Sequence, residues 1–356
     1  MTITIQDPGT DKKPILSFCI STYNRSVKIF NLVLEILEHN GNDIEVVVID
    51  NLSTDDTKAI LSVIKDKRFH FYENSHNIGG LRSGLKGMTK CQGNYILNCC
   101  DKDYIYHQYI YKLVNFLSNN MDVAVGYCSL NSSEDIEPII LAQGIEALKG
   151  VAYLSKHPTG NFFKNEYLTT LNILDRFSDI RKFGGFALEF ISAELCILGK
   201  AAIVNIPLCG TESKEEAKNS KSHTFSGKVG DAFFFPDRRY DLFIDYVMHI
   251  SSLKISKLNK REIIKKVFHK ELVNATIGFK EICKDPDICS HYDMNTRKVG
   301  FIELFKIDLM FSGKFINKNS FNVRTYRLLL CLQVHIDILI NMILIFRSKV
   351  ALKIKR

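Results

Sequence analysis

Residues 44–51 read Ile-Glu-Val-Val-Val-Ile-Asp-Asn, and the reading of this stretch decides the fold class. Residues 44–49 form an unbroken, largely β-branched run, the pattern of a strand covered on both faces. Working outward, ILSFCIS (15–21) is a second short apolar run suited to a buried strand. Between the two, VKIFNLVLEILEH (27–39) has helical periodicity, and Asn40-Gly41 ends it, with Gly41 expected as a left-handed cap. Downstream, Ser53 and Asp56 have the spacing of a capping box for a helix near 55–66. Phe69–Tyr72, NYILNC (94–99) and Val123–Tyr127 read as further strands, with helices at 79–91 and 106–119. Strand–helix alternation at this spacing implies right-handed crossovers and a mainly parallel sheet.

Open sheets of this kind bind ligands beyond the carboxyl ends of their strands. Here those ends carry Thr22-Tyr23-Asn24, Asp50-Asn51 and Asp101-Lys102-Asp103. An acidic rim on such a sheet suggests a divalent cation bridging to phosphate, because hard cations prefer carboxylate oxygens. Glycine cradles are missing. The turn after the first strand, STYNRS, has no glycine, and Gly80 to Lys86 has the wrong spacing for a P-loop. Phosphate would then be held mainly by metal and side chains.

Composition narrows the classes. The 356 residues are 46% hydrophobic and 24% charged, which excludes a disordered or fibrous chain. Ten cysteines occur without a C-x-x-C pair, so no zinc cluster is indicated. The first ten residues lack a basic segment followed by an apolar one, so no secretory signal is read, and a reducing cytoplasm is expected. The charge is uneven: residues 257–356 hold 20 Lys+Arg against 9 Asp+Glu, whereas the rest holds 27 against 30. A near-neutral body therefore carries a basic C-terminal region.

Four ordered strings carry a resemblance: LSFCISTYNR, VVVIDNLSTDDT, ENSHNIGG and YILNCCDKD. Together they resemble the family 2 glycosyltransferases of the GT-A fold, over about residues 14–210. The resemblance implies an α/β GT-A catalytic domain with a mainly parallel sheet, and transfer of a sugar from a nucleotide diphosphate donor. It implies that Thr22, Tyr23 and Arg25 sit in the first nucleotide-binding turn and that Asp50 grips the nucleotide base. A second acid often follows in the family; Asn51 stands there instead. Asn77, Gly79 and Arg82 match a segment near the nucleotide and its sugar. Asp101 and Asp103 match the D-x-D pair that engages the ribose and, through Mg²⁺ or Mn²⁺, the diphosphate. The chemistry needs such a pair because the leaving nucleoside diphosphate gathers negative charge, which a divalent ion stabilises.

Thr159 and Gly160, within His157-Pro158-Thr159-Gly160-Asn161, resemble the acceptor side of the sugar pocket. Residues 184–199 resemble the helix bearing the catalytic base. Glu189, ten residues before Gly199, is the first candidate and Glu194 the second. Inverting transfer needs one base to take the acceptor hydroxyl proton. His223, in the polar stretch 211–230, is a candidate third metal ligand, and Arg238 and Arg239 could clamp phosphate or form a surface pair. Plainer readings stand beside these. Asp50 and Asp101 could cap helices, Asp103 could be a solvated turn residue, and Glu189 an ordinary helix acid.

The expected organisation is an N-terminal tail (1–13), a catalytic domain (14–240, nucleotide half 14–125 and acceptor half 126–240) and a basic helical region (241–356). Leu328–Phe346 would span about 28 Å as a helix. Gln333, Asp337 and Asn341 form a polar stripe on it, and the basic RSKVALKIKR follows. Three readings compete for it: packing on the catalytic domain or a second subunit, lying on an anionic membrane surface, or spanning the membrane. No nucleic-acid module is recognised, so nucleic acid is not an expected partner. The expectation is an inverting, metal-dependent enzyme acting on a glycan, often lipid-linked, in surface polysaccharide synthesis such as O-antigen or capsule. It would work in the cytoplasm at the inner face of the membrane. A sugar nucleotidyltransferase and a non-catalytic membrane-docked scaffold are the alternatives.

Overall fold

A computed structural model of the chain describes residues 13–133, 136–179, 183, 186–213, 215–216, 232–317, 327–328 and 330–336. The chain divides into two compact units, the first ending at Ser222 and the second beginning at His223. The boundary expected at 240 falls inside a helix, Pro236–Ser252, whose start is set by Pro236 in the first turn.

Among the described residues, the first unit is built on a nine-stranded sheet. Its strands are β1 (Leu16–Thr22), β2 (Ile44–Asp50), β3 (Phe69–Glu73), β4 (Tyr95–Cys100), β5 (Tyr104–Ile105), β6 (Val123–Leu130), β7 (Ile136–Leu141), β8 (Asn161–Lys164) and β9 (Lys200–Gly210). The order is β3-β2-β1-β4-β8-β6-β9-β5, with β7 paired to β9. β3, β2, β1 and β4 run parallel, as do β6 and β9, while β8 lies antiparallel between β4 and β6. All seven residues of β2 are buried, as an apolar run in a parallel sheet requires.

Helices α1 (Ser26–Leu37), α2 (Thr57–Leu61), α3 (Gly80–Met88) and α4 (Ile110–Asn119) connect the parallel strands. α1 buries Ile29, Leu32, Val33 and Ile36, a period-3.6 face packed on the same core as Phe18, Val46 and Leu97. Two local expectations are corrected. α1 ends at Leu37, followed by Glu38 in right-handed helical geometry, and Gly41 is absent from the left-handed glycines. α2 spans only five residues, and Asp56 makes no capping bond; Ser53 Oγ donates to Asp50 Oδ1 at 2.5 Å instead. The strand-end carboxylate outcompetes the helix as Ser53's partner.

Glu45 interrupts the apolar part of β2, residues 44–49. It lies at the amino edge of the sheet and accepts from Ser17 Oγ (2.5 Å) and from the backbone of Gln92 (2.5 Å) and Gly93 (3.0 Å). A buried carboxylate satisfied by donors is tolerated.

In the second unit, helix Pro236–Ser252 packs with Lys257–Val273 around Phe243, Phe268, Phe311 and Phe315. Arg239 pairs with the buried Glu271 (3.3 Å), and Arg238 lies 3.5 Å from Asp241. Arg239 is therefore a buried partner and not a surface one. Along Phe301–Asn317, Phe301, Ile302, Phe305 and Leu309 stay exposed on one face. Of the expected helix 328–346, Leu328 and Leu330–Ile336 are described, with Leu330, Cys331 and Val334 buried; Asp337 and Asn341 lie outside the described residues. Among the described residues, no helix is long and apolar enough to cross a membrane.

Candidate active site

Strand register brings the predicted rim together. Thr22 pairs with Asp50 and Ser21 with Cys100, so Thr22, Asp50 and Asp101 share the carboxyl edge of β1, β2 and β4. β8 runs antiparallel to β4, so the residues just before it, His157–Gly160, reach the same edge. Gly160 N donates to Asn98 O (3.0 Å), and Gly160 O accepts from Cys128 N (2.8 Å). Gly160 has φ +92°, and a Cβ there would sit 2.5 Å from Cys128 O, so both the backbone conformation and the space require glycine.

Asp101 is 3% exposed and is ion-paired at 2.5 Å with Arg25 Nη1 from the turn after β1. Burial pushes its carboxyl above the ordinary range, and the Arg25 guanidinium works against that shift. Asp103, also 3% exposed, accepts from the Thr159 hydroxyl, which itself accepts from Cys100 N at 2.9 Å. Two carboxylate oxygens, Asp101 Oδ2 and Asp103 Oδ1, are buried without a hydrogen-bond partner. Orphaned anionic oxygens are costly, and a divalent hard cation is the group that such donors fit. The neighbouring Cys100 thiol is pushed up to about 12, by burial first and then by the charge of Asp103.

The nucleotide-side residues fall into an ordered turn network. Asp50 accepts from Ser53 N (3.1 Å) and Ser53 Oγ, while Ser53 Oγ accepts from Asn24 N (2.8 Å). Tyr23 is exposed beside it. Asn51 joins the end of β2 to the Asn77–Gly79 segment: its amide donates to Asn77 Oδ1 (2.7 Å), and its Oδ1 accepts from Ile78 N (2.9 Å) and Asn74 Nδ2 (3.1 Å). Asn77 Oδ1 accepts in turn from Gly79 N (3.0 Å), and Gly79 has φ +84° with open space around it. Arg82, in the first turn of α3, is exposed.

Glu189 lies in the first turn of α5 (Ala187–Leu198) and is 4% exposed. Its oxygens accept from Leu154 N (2.8 Å) and Lys156 N (2.7 Å), so it fastens the loop that leads to His157 and Thr159. In that loop Tyr153 and Ser155 have positive φ, strained conformations that the carboxylate helps to hold. Burial pushes the Tyr127 hydroxyl up to about 12, ahead of smaller contributions from Cys209, Cys128, Glu189 and Asp103. Glu194 is bound in a fork by Arg176. His223 lies outside the described residues.

Three features of the site carry no local signal in the sequence. Asn51, which stands where the family often has a second acid, is the hub of the 74–79 turn. Glu212, just past β9, binds Lys28 (2.5 Å) and Lys102 (3.5 Å) at the same rim. His157, in the segment expected on the acceptor side of the sugar pocket, stands 3.5 Å from Asp103. Antiparallel β8 brings it there, and no periodicity signalled that strand.

Residues 17–181 match the family described as Glycosyl transferase family 2. An uncharacterized glycosyltransferase of Haemophilus influenzae is 29% identical over 145 residues, 37% of this chain and 58% of that protein. The GalNAc(5)-diNAcBac-PP-undecaprenol beta-1,3-glucosyltransferase of Campylobacter jejuni is 21% identical over 156 residues, 42% of this chain and 50% of that protein. The succinoglycan biosynthesis protein ExoO of Rhizobium meliloti is 30% identical over 89 residues, 25% of this chain and 26% of that protein. The chain thus spans 58% or less of these relatives' lengths. Among solved structures, S. aureus TarS in complex with UDP-GlcNAc superposes with a TM-score of 0.55 at 13% identity, covering 90% of this chain and 88% of that one. At that identity the likeness is one of fold. The first unit of this chain thus has the GT-A fold, and residues 17–181 within it are similar to glycosyltransferase family 2.

Proposed function

We propose that the chain transfers one sugar from a nucleotide diphosphate donor to a hydroxyl of a glycan acceptor, with inversion. The observation that carries this reading is the convergence of Thr22, Asp50, Asp101 and Asp103 on one sheet edge, with two buried carboxylate oxygens left unpartnered. In this reading Asp50 receives the ring N–H of the base, and Asp101 engages the ribose. Arg82, an exposed cation beside the open backbone of Gly79, faces the phosphates together with Tyr23 and Asn77. A divalent cation, Mn²⁺ or Mg²⁺, held by Asp103 and Asp101 when bound, neutralises charge on the departing diphosphate. Thr159 and Gly160 shape the acceptor side.

Glu189 is the proposed base. Each of its oxygens accepts one backbone N–H, and a carboxylate oxygen keeps a second lone pair for a proton. Glu194, held by Arg176, serves less well.

The names of the relatives support surface polysaccharide assembly, and one of them supports a lipid-linked glycan as acceptor. The exposed Phe301, Ile302, Phe305 and Leu309, in a region rich in Lys and Arg, support docking of the second unit on an anionic membrane at its cytoplasmic face. Self-association through that face is the competing reading, and flotation with anionic vesicles against sedimentation of the protein alone separates the two. The donor reading is tested by thermal shift with UDP-, GDP- and dTDP-sugars, with and without Mn²⁺. One donor class should raise the melting temperature only with metal; stabilisation by none of them removes the proposal.

A further inference from the structure

A second group of side chains stands directly after the acidic turn. Tyr104 opens the edge strand β5, and Tyr106 follows two residues on, so alternation puts both rings on one face. The rings are nearly parallel, 14° apart in plane with centroids at 6.5 Å, and Tyr106 is 40% exposed. Both are held. The Tyr104 hydroxyl donates to the Glu216 carboxylate, and Tyr106 N donates to Leu208 O at 2.9 Å. In the ladder Tyr104 lies opposite Gly210 of β9. A Cβ on Gly210 would sit 3.0 Å from the Tyr106 hydroxyl and 3.4 Å from Asn131 Oδ1, so the absence of a side chain there makes room for both. Asn131 and Thr211, just past the ends of β6 and β9, are bonded to each other. Asn131 Nδ2 donates to Thr211 Oγ1 and Thr211 N donates to Asn131 Oδ1, each at 3.0 Å. The amide keeps a second N–H, and the hydroxyl its own O–H, to offer a ligand. An exposed aromatic face beside a few polar groups suits a pyranose, which has apolar C–H groups on its face and hydroxyls around its rim. The patch also borders the proposed reaction centre, because Asp103, which accepts from Thr159, is the residue before Tyr104.

We propose that Tyr104, Tyr106, Asn131 and Thr211 form a subsite for one sugar ring of the acceptor glycan, with the ring stacked on Tyr106 and its hydroxyls on the amide–hydroxyl pair. This rests on the transferase reading above. Tyr104, braced by Glu216, backs the Tyr106 ring. Tyrosines give a large contact area at low conformational cost. The donor site holds a diphosphate through charge, whereas this subsite holds a neutral ring through surface and hydrogen bonds, so the two can be lost separately.

The test uses the full chain and four disaccharides, maltose, cellobiose, lactose and chitobiose, read by saturation-transfer NMR with Mn²⁺-free protein and with UDP, GDP or dTDP added. Wild type should bind at least one of them. Tyr106→Ala should weaken that binding by about tenfold or more, the scale of a lost aromatic contact. Tyr106→Phe should hardly change it. Asn131→Gly, which suits the φ of +51° there, should weaken it about fivefold, the net value of one hydrogen bond. Stabilisation by nucleotide sugar in the thermal-shift assay should be the same in all three variants as in wild type. Tyr106→Trp puts the only tryptophan of the chain on the platform, and its emission should shift when the disaccharide binds, a readout that stands even if Tyr106→Ala misfolds. If no disaccharide binds a chain that nucleotide sugar stabilises, if folded Tyr106→Ala keeps wild-type affinity, or if the indole stays silent while sugar binds, the subsite is wrong and the donor site stands. If no nucleotide sugar stabilises the chain, the transferase reading falls and this proposal falls with it.

Discussion

Replacing Glu189 by alanine tests whether this acid holds the loop as the structure requires. The carboxylate accepts from two backbone amides at 2.8 and 2.7 Å while only 4% exposed, so solvent replaces it poorly. Hydrogen bonds to a charged group contribute about 1.5–3 kcal/mol each, and their loss leaves two buried N–H groups unsatisfied. Simple addition gives roughly 3–6 kcal/mol, and the lower half is the safer expectation because the loop can relax and admit water. In a domain of this size each kcal/mol lowers the melting temperature by about 2–4 °C, so a fall of roughly 6–18 °C follows. Calorimetry of Glu189→Ala and Glu189→Gln, with urea midpoints alongside, measures it. Glutamine restores one acceptor but turns an NH₂ towards the other amide, so it should recover only part of the loss. Donor affinity measured well below the melting range separates fastening from catalysis: a base needed for transfer leaves donor binding largely intact while turnover disappears. A Glu189→Ala protein that melts within about 2 °C of wild type would refute the fastening argument. Full transfer activity would remove Glu189 as the base.

Other outcomes follow from the same geometry. Asp103→Ala should abolish the metal dependence of donor stabilisation in the thermal-shift assay. Arg25→Ala strands the Asp101 carboxylate in a buried site, which costs about 3 kcal/mol or more at neutral pH, read as a urea midpoint. The sign with pH is set by burial, which raises the folded Asp101 pKa above its unfolded value, so the folded state gains by binding a proton as pH falls. Without Arg25 opposing that rise, the gap between the variant and wild type should narrow from pH 8 towards pH 5; a gap that widens contradicts the argument. Gly160→Ala places a Cβ 2.5 Å from Cys128 O at φ +92°, and should cost roughly 1–3 kcal/mol together with lower Mn²⁺ affinity, since Thr159 shifts with it. Asn51→Ala should raise hydrogen exchange at Ile78 and Gly79 while leaving β1 and β2 protected.

The parallel half of the fold was legible because its strands are apolar runs separated by amphipathic helices, a local signal. Asp50, Asp101 and Thr22 could be placed on one edge because parallel register fixes where strand ends fall. The mixed half was not legible in the same way. β8 is four residues long, NFFK, and β5 only two, so neither carries a periodicity, and their partners lie far away in sequence. The convergence of His157 with Asp103 and of Glu212 with Lys28 and Lys102 depends on those antiparallel pairings. The capping box at Ser53 failed for a related reason: a tertiary acceptor, Asp50, competes with the local one. Glu45 in the apolar strand is legible only once its donors, Ser17 and the Gln92–Gly93 backbone, are in place.

The central claim is that carboxylates from separate strand ends hold a cation against a nucleoside diphosphate. Anomalous diffraction at the manganese edge, from crystals grown with Mn²⁺ and the nucleoside diphosphate that stabilises the protein, tests it most directly. The account predicts one strong peak bonded to Asp103, with the diphosphate on its far side and the base at Asp50. A nucleotide seated away from this edge, or seated there with Asp101 and Asp103 turned from its phosphates, would contradict it.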